Sequence, residues 1–266
     1  MKVKDKVIVV TGAGGGVGRE LVLNLLKKGA TVAALDINKE RLEETTRIAN
    51  NPEKVSAYVC DITDLKAIEE VSKAIILKYG VVDGLINNAG IIQPFINVAD
   101  LTMKQVKLVM DVNFYGTLNM TKTFLPLLLE RPEGHVLNVS SMGGFFPFPG
   151  QSIYGASKAA IKLLTEGLYA ELLNTNVHVT LVFPGAIQTD ISKNSGVEMK
   201  AQPEGEKPAM KMTQADDCAE QIIKSMEKNK FQVYVGSDSK MMKFMYRMSP
   251  KRAIKFISKM MAGMNQ

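Results

Sequence analysis

Short apolar runs rich in β-branched residues alternate along the chain with longer segments in which apolar residues recur every three to four positions. The first pattern is typical of buried strands and the second of amphipathic helices. The strands that it predicts span residues 7–10, 31–35, 55–59, 84–87, 135–139, 177–183 and 231–235. Because strands that alternate with helices form βαβ units, we predict an α/β fold with a doubly wound parallel sheet of seven strands.

The sequence predicts a single domain over residues 1–239 and a helical extension over 240–266. No Pro- or Ser-rich linker divides the 266 residues, of which 46% are hydrophobic, so one large core can form. Within the domain, residues 190–212 are polar and contain Pro and Gly. A long loop of this kind beside a binding site is often a lid that closes over substrate, although an idle surface insertion has the same composition. We favour the substrate lid.

The net charge of +6 arises in the extension, which contains no Asp or Glu. Its basic residues are Lys240, Lys243, Arg247, Lys251, Arg252, Lys255 and Lys259. Without these seven positive charges, residues 1–239 carry about −1. The main domain therefore gives no reason to expect nucleic acid as a partner.

Residues 240–266 predict two amphipathic helices, because Pro250 disfavours helix at Ser249. In the second helix a basic stripe lies opposite apolar residues at helical spacing, namely Ala253, Ile254, Phe256, Ile257, Met260 and Met261. Such a segment can make peripheral contact with an anionic membrane surface or bind an acidic partner. It can also pack its Met-rich face on its own or a neighbouring subunit, which is the interpretation that we favour.

Cysteine usage and hydropathy indicate a cytoplasmic protein. Cys60 and Cys218 are far apart and have neither a metal-binding nor a redox spacing, so we expect two reduced thiols and no metal site. No apolar run approaches the roughly 20 residues of a membrane-spanning helix. A strand pattern begins at Lys6, so we expect no signal peptide before it.

A glycine-rich turn lies between the first strand and the first helix, and it contains Gly12, Gly14, Gly16, Val17 and Gly18. Glycines let the backbone turn tightly and approach a pyrophosphate, which is then held at the positive end of the helix. The turn lacks the Gly-Lys-Ser/Thr sequence of a nucleoside-triphosphate P-loop. Its position between strand and helix indicates a dinucleotide site.

The second strand runs into Asp36 and Ile37, with Asp36 standing 18 residues after Gly18. A carboxylate at this position can accept hydrogen bonds from both hydroxyl groups of an adenosine ribose. It also repels a 2′-phosphate, so Asp36 favours NAD over NADP. An aspartate that caps a helix or stabilises a turn gives the same sequence signal.

Polar residues also follow the third and fourth strands. Asp61 could hold the edge of an adenine and Ile62 its face, but Asp61 or Thr63 could instead cap the next helix. The fourth strand continues into residues 87–90, a sequence of two Asn, one Ala and one Gly. The Asn side chains, Asn88 included, could tie neighbouring strand ends together, while Ala89 and Gly90 leave room for a flat ligand.

The loop after the sixth strand is a further candidate, because ligands bind at the carboxyl ends of strands in open α/β sheets. Its candidate residues are Pro184, Gly185, Ile187 and Thr189. The Thr189 hydroxyl could bind a carboxamide.

Acid–base chemistry is predicted at Ser141, Tyr154 and Lys158. Tyr154 and Lys158 are four residues apart in a predicted helix, so they share one face. A free phenol has a pKa of roughly 10, and a fixed ammonium nearby lowers it. A phenol tuned in this way can exchange a proton with a substrate oxygen that Ser141 polarises. The same Tyr–Lys spacing is also common on solvated helix faces.

Asn113 lies between bulky residues in a long helix predicted at about 103–129. Asn inside a helix competes with the backbone for hydrogen bonds. We expect either a local kink that holds a water molecule or an amide that faces solvent.

Apolar residues near these polar ones could line a substrate pocket, namely Ile91, Ile92, Phe95, Met142, Phe145, Phe146 and Phe148. They favour a hydrophobic or lipid-like alcohol as the substrate.

Taken together and in order, these residues resemble the classical short-chain dehydrogenase/reductase family over about residues 5–237. The resemblance implies a Rossmann-type fold and a catalytic tetrad of Asn113, Ser141, Tyr154 and Lys158. Tyr154 would act as the acid/base, and Lys158 would bind the nicotinamide ribose and lower the pKa of Tyr154. Ser141 would orient the substrate oxygen, and Asn113 would hold a water molecule in a proton relay to Lys158.

The resemblance also implies contacts with NAD at Gly12, Gly16, Gly18, Asp36, Asp61, Ile62, Asn88 and Thr189, besides Tyr154 and Lys158. Members of the family usually assemble through two long helices, here at about 103–129 and 153–172. We therefore expect a homodimer or a homotetramer.

The expected function is that of an NAD(H)-dependent oxidoreductase that transfers hydride between the nicotinamide and a hydrophobic secondary alcohol or ketone. An NADPH-dependent 3-ketoacyl-type reductase is one alternative, against which Asp36 argues. A non-catalytic cofactor-binding scaffold is another, against which the complete tetrad argues.

Overall fold

The computed structural model of the protein describes residues 1–189, 191–197 and 212–264. The strands are β1 (Val7–Thr11), β2 (Thr31–Asp36), β3 (Val55–Val59), β4 (Gly84–Asn87), β5 (Gly134–Val139), β6 (Val177–Pro184), β7 (Ile187–Gln188), β8 (Thr213–Gln214) and β9 (Gln232–Val235). The helices are α1 (Gly16–Lys27), α2 (Lys39–Ala49), α3 (Leu65–Tyr79), α4 (Met103–Met110), α5 (Thr117–Leu129), α6 (Ser152–Glu171), α7 (Ile191–Asn194), α8 (Ala215–Glu227), α9 (Ser237–Met248) and α10 (Pro250–Met264).

Seven of these strands form one parallel sheet in the order β3-β2-β1-β4-β5-β6-β9. The predicted doubly wound architecture is therefore confirmed. The strand order reverses between β1 and β4, where the connections lead away to opposite sides. A crevice opens at the carboxyl ends of the strands at such a reversal, and the candidate site lies there.

Helices cover both faces of the sheet, which explains why its central strands are continuous apolar runs. Alternate residues of β1 point to opposite faces. Ile8 and Val10 join one core cluster, which includes Leu21 of α1. Val9 joins the other, which includes Phe124 of α5, and all five side chains are 0% exposed.

The long helix predicted at 103–129 is interrupted by a π-helical turn at Asp111–Gly116, which separates α4 from α5. The helix is therefore distorted at Asn113, whose amide is buried and does not face solvent, while the water molecule expected there stays a prediction. The short parallel pair β7–β8 was not predicted, because two-residue strands leave no apolar pattern in the sequence.

The C-terminal extension forms two helices that separate at Ser249, as predicted, but the first begins at Ser237. Their inner faces bury Met242, Ala253 and Ile257 in a cluster with Met142 and Phe146. The extension therefore packs on its own chain. None of the helices in the described ranges combines the length and apolarity that a membrane span requires.

The lid predicted at 190–212 lies largely outside the described residues, at 190 and 198–211. In the described part, Val197 is buried and Ser195 accepts a hydrogen bond from the backbone N–H of Ile92 at 3.0 Å. The lid stays a prediction.

Candidate active site

The glycine-rich turn brings β1 and α1 into close contact at the carboxyl edge of the sheet. Gly12 has a φ of 67°, in the left-handed region that favours glycine. A Cβ on Gly18 would lie 1.9 Å from the carbonyl oxygen of Gly12, so a larger residue cannot occupy this position. Gly15 offers no side chain to cap α1, which leaves the N–H groups of its first turn available to an anion. The turn therefore fits a pyrophosphate.

Asp36 is held at the end of β2 by two backbone hydrogen bonds. Its Oδ2 accepts from the N–H of Gly14 at 2.8 Å, and its Oδ1 accepts from the N–H of Asn38 at 2.9 Å. The cap of α2 is Asn38 and not Asp36. The carboxylate is thus fixed beside the glycine-rich turn, where it can meet a ribose, and adjacent Ile37 is 66% exposed.

Asp61 and Ile62 follow β3 as predicted, but their contacts are local. Asp64, rather than Asp61 or Thr63, caps α3 by accepting from the N–H groups of residues 66 and 67. Asp61 accepts from the N–H and the hydroxyl of Thr63 at 2.9 and 2.8 Å. Ile62 packs against Gly116 and is only 8% exposed. Adenine contact by Asp61 and Ile62 stays a prediction.

The Asn pair after β4 ties strand ends together. Asn87 donates from Nδ2 to Asn138 Oδ1 at 2.8 Å, which connects β4 to β5. Asn88 donates from Nδ2 to the carbonyl oxygen of Thr11 at 3.1 Å, which connects β4 to β1. Ala89 donates its N–H to the Thr11 hydroxyl at 3.1 Å. These bonds set the shape of the crevice at the strand reversal.

The loop after β6 is held by a residue that sequence reasoning missed. Asp238, in the first turn of α9, accepts from the N–H of Ala186 at 2.6 Å. Asp238 is 5% exposed and lies beside Gly185, which has no room for a Cβ.

Thr189, further along the loop after β6, lies close to the glycine-rich turn. Its methyl carbon is 3.2 Å from where a Cβ on Gly16 would be. The structure therefore brings Thr189 to the glycine-rich turn.

Ser141 and Tyr154 lie close together beside Gly143, because a Cβ on Gly143 would be 3.5 Å from Ser141 Oγ and 3.3 Å from a ring carbon of Tyr154. Burial raises the pKa of Tyr154 above its usual value of 10, and the nearby Ser141 hydroxyl opposes only part of that rise. The expected lowering of this pKa by Lys158 is therefore not observed. The physical reason is that loss of hydration disfavours the phenolate more than its neighbours stabilise it. At neutral pH Tyr154 carries its proton.

Lys158 is 5% exposed, and its Nζ donates to the carbonyl oxygen of Val139 at 3.0 Å. Burial lowers the pKa of Lys158 from 10.5 to about 8. Lys158 and Asn113 both lie beside Gly90, because a Cβ on Gly90 would be 3.0 Å from Lys158 Nζ and 3.1 Å from Asn113 Oδ1. The four predicted catalytic residues therefore gather around one crevice.

Asn113 is 0% exposed in the π-helical turn. Its Oδ1 accepts from the N–H of Ile91 at 2.9 Å, and its Nδ2 donates to the carbonyl oxygen of Ile91 at 3.0 Å. Nδ2 also donates to the Ser157 hydroxyl at 2.9 Å. The side chain thus connects the loop after β4 to α6, and its role in a water relay stays a prediction.

Gln93 is a second residue that sequence reasoning missed. It is 1% exposed, and its Oε1 accepts from the N–H groups of Ile153 and Tyr154 at 2.7 and 2.9 Å. Its Nε2 donates to the carbonyl oxygen of Gly150 at 2.9 Å. A glutamine in a loop carries no signal for this role, because its partners lie about 60 residues further along the chain.

The apolar residues predicted to line the pocket divide into two groups. Phe146 is 0% exposed and packs on Tyr246 of α9, so it belongs to the core and not to a pocket wall. Phe145 packs edge-on against Phe183 and Tyr234. The assignment of Phe146 to a pocket wall was wrong, since the sequence does not reveal that α9 covers it, whereas that of Phe145 stays a prediction. Phe95 remains 48% exposed.

Comparison with known proteins agrees with the family resemblance of the sequence. A family model described as short chain dehydrogenase matches residues 6–200. Over 244 residues the chain is 34% identical to SadH, a putative oxidoreductase from Mycobacterium tuberculosis, covering 89% of this chain and 88% of the relative.

Solved structures of two bacterial proteins are also similar. A short chain dehydrogenase from Burkholderia cenocepacia in complex with NADP aligns with a TM-score of 0.81 at 27% identity, covering 97% of this chain and 99% of that one. A 3-ketoacyl-(acyl-carrier-protein) reductase from Brucella melitensis complexed with NADH aligns with a TM-score of 0.78 at 26% identity, covering 89% and 98%.

Proposed function

The chain belongs to the short-chain dehydrogenase/reductase family, and we propose that within this family it is an NAD(H)-dependent oxidoreductase of secondary alcohols or ketones. The observation that carries this proposal is the close approach of Ser141 and Tyr154 beside Gly143, with the buried amine of Lys158 one turn further along the helix of Tyr154. A proton donor, a polarising hydroxyl and a cation around one crevice are the groups that carbonyl reduction requires.

Tyr154 manages the proton of the substrate oxygen. Because burial raises its pKa, Tyr154 is protonated at neutral pH and can donate to the oxygen of a ketone. In alcohol oxidation it accepts that proton, which requires a higher pH. Ser141 orients the same oxygen by a hydrogen bond. The nicotinamide, when bound, supplies or accepts the hydride.

Asp36 is the residue that supports NAD over NADP. Its carboxylate is fixed by Gly14 and Asn38, so it cannot move away from an incoming 2′-phosphate without losing two hydrogen bonds. The remaining cofactor contacts would come from Gly12, Gly14, Gly16, Val17, Gly18, Ile37, Asp61, Ile62, Asn88, Ala89, Gly90, Pro184, Gly185, Ile187 and Thr189, together with Tyr154 and Lys158.

The proposal extends to assembly and compartment. Met103 and Leu108 of α4 and Leu163 of α6 are 75, 54 and 69% exposed, which supports a homodimer or homotetramer through these helices. Cys60 and Cys218 are free and buried, and burial raises their thiol pKa values to about 11 and about 12. Such inert thiols fit the proposed cytoplasmic location.

The test is a titration of the protein with NADH and with NADPH, followed by nicotinamide fluorescence. We expect NADH to bind at least about tenfold more tightly, a difference of roughly 1.4 kcal/mol. Hydrophobic secondary alcohols would then be screened for NAD reduction. Absence of binding by either nucleotide would contradict the dehydrogenase proposal as a whole.

A 3-ketoacyl-type reductase is the second candidate, favoured by the similarity to the Brucella melitensis reductase. Tighter NADPH binding, with turnover of 3-ketoacyl thioesters, would support it over an alcohol dehydrogenase. Cofactor binding without turnover of any carbonyl or alcohol would instead indicate a scaffold.

A further inference from the structure

Helices α9 and α10 have an outer surface that the main domain does not cover. On α9, Met241, Phe244 and Met248 are 44, 66 and 70% exposed. Their spacing of three and four residues places them in one stripe along the helix. On α10, Ile254 and Phe256 are 39 and 45% exposed. Several large apolar side chains exposed so close together in the sequence indicate a contact surface.

The same outer surface is uniformly basic. Its exposed cations are Lys240, Lys243, Arg247, Lys251, Arg252, Lys255 and Lys259. Lys240, Lys243 and Arg247 repeat the spacing of the apolar stripe, one position earlier, so a basic stripe runs beside it on α9. No carboxylate in the described residues forms an ion pair with these cations. Among these cations, Lys243 is the only one with a different contact in the described residues: its Nζ lies 3.8 Å from the centre of the Tyr234 ring.

We propose that the outer surface of α9 and α10 docks the protein on an anionic lipid surface. A bilayer interface accepts Phe and Met side chains into its apolar layer and attracts cations to its headgroups, so it complements both stripes at once. A second copy of the chain fits less well. A twofold contact through this surface would bring two sets of seven like charges together.

Docking and packing use different faces of the same helices. Met242, Ala253 and Ile257 hold the inner face on the domain. The outer face is therefore preformed, and binding needs no opening of the fold. The proposal goes beyond the enzymatic function and is independent of it.

The experiment is flotation of the full-length protein with vesicles of phosphatidylcholine alone and of phosphatidylcholine mixed with phosphatidylglycerol. The apolar variant combines Met241→Gln, Phe244→Gln and Met248→Gln. The charge variant combines Lys240→Gln, Arg247→Gln, Lys251→Gln and Lys255→Gln. The control carries Lys66→Gln, Lys73→Gln and Leu77→Gln on the exposed side of α3, far from the extension in sequence. Gel filtration and circular dichroism verify that each variant is folded.

We expect the native protein and the control to bind the anionic vesicles, and to be released by high salt. Both extension variants should bind at least about tenfold more weakly. Failure of the native protein to float with anionic vesicles would overturn the proposal, as would equal binding by all variants. A change from dimer to monomer in the apolar variant, without vesicle binding, would assign the surface to a second copy. Binding to an acidic polypeptide but not to vesicles would assign it to a protein partner.

Discussion

The side-chain oxygen of Gln93 accepts a hydrogen bond from the backbone N–H of Tyr154, with 2.9 Å between Oε1 and N. Helix α6 has no side-chain cap of its own, since Gln151 at its N-cap makes no capping bond. The loop after β4 thus supplies the cap of the helix that carries the acid/base. Gln93 is a positioning residue, because it acts through the backbone of Tyr154.

Replacing Gln93 with Met should lower kcat about tenfold while NADH affinity stays unchanged, because two N–H groups lose their acceptor and Tyr154 loses its alignment. Gln93→Glu keeps the acceptor and adds a negative charge near Tyr154. It should recover part of kcat and shift the pH profile of alcohol oxidation to higher pH. Steady-state kinetics across pH measure both effects. An unchanged kcat in the Met variant would contradict the assignment.

Tyr154→Phe should reduce turnover by at least about 10³-fold, because it removes the proton donor. Affinity for NADH should change little, since the phenol hydroxyl is the only group removed. Fluorescence titration and single-turnover rates separate the two quantities. A variant that retains substantial turnover would show that another group transfers the proton.

Lys158→Met should make the fold more stable at pH 7 while activity is lost. The pKa of Lys158 falls from 10.5 to about 8 on folding, which corresponds to about 3 kcal/mol of destabilisation at neutral pH. Loss of the bond to Val139 offsets about 1 kcal/mol of the gain, so about 2 kcal/mol should remain.

The stability gain of the Lys158 variant depends on pH. Below about pH 8 the Lys158 amine is charged in both the folded and the unfolded protein, and the native protein bears the full destabilisation. Between about pH 8 and 10.5 Lys158 loses its proton in the folded protein before it does so in the unfolded protein, so the destabilisation decreases as the pH rises. Urea unfolding at pH 7 and near pH 10 should therefore show the gain only at pH 7. A gain that is equal at both values would point to packing instead.

Asp36→Asn should tighten NADPH binding about tenfold and weaken NADH binding, because the amide keeps an acceptor oxygen but removes the repulsion of a 2′-phosphate. Glu40→Gln, in the first turn of α2, is the matched control for loss of one nearby exposed charge. Titration with both nucleotides provides the comparison. Equal responses of the two variants would mean that general charge, and not ribose recognition, sets the preference.

Ile257→Ala should lower the free energy of unfolding by about 2–4 kcal/mol, because Ile257 is 0% exposed in the cluster that contains Met142 and Phe146. Its neighbour Phe256 is 45% exposed, and Phe256→Ala should cost about 1 kcal/mol or less. Denaturant unfolding measures both. Similar losses would show that the inner and outer faces of α10 are equally buried in solution.

Much of the fold and of the crevice could be predicted from the sequence. All seven strands of the main sheet were located to within one residue at each end, because apolar runs bounded by turn residues are local signals. Residues that follow strands, such as Ser141 after β5, could be placed at the crevice because parallel strands end at the same edge of the sheet. Tyr154 and Lys158 lie within α6, and their four-residue spacing puts them on one face of that helix.

Tertiary structure alone decided what holds these residues and how they titrate. Gln93 caps α6 and Asp238 holds the loop after β6 through partners about 50 to 60 residues away, which no local pattern encodes. The extension buries Phe146, and burial rather than a nearby ammonium sets the pKa of Tyr154. Periodicity and strand order depend on neighbours in the chain, and so the sequence by itself determines them. Hydration and long-range hydrogen bonds depend on which segments meet, and so only the folded protein determines those.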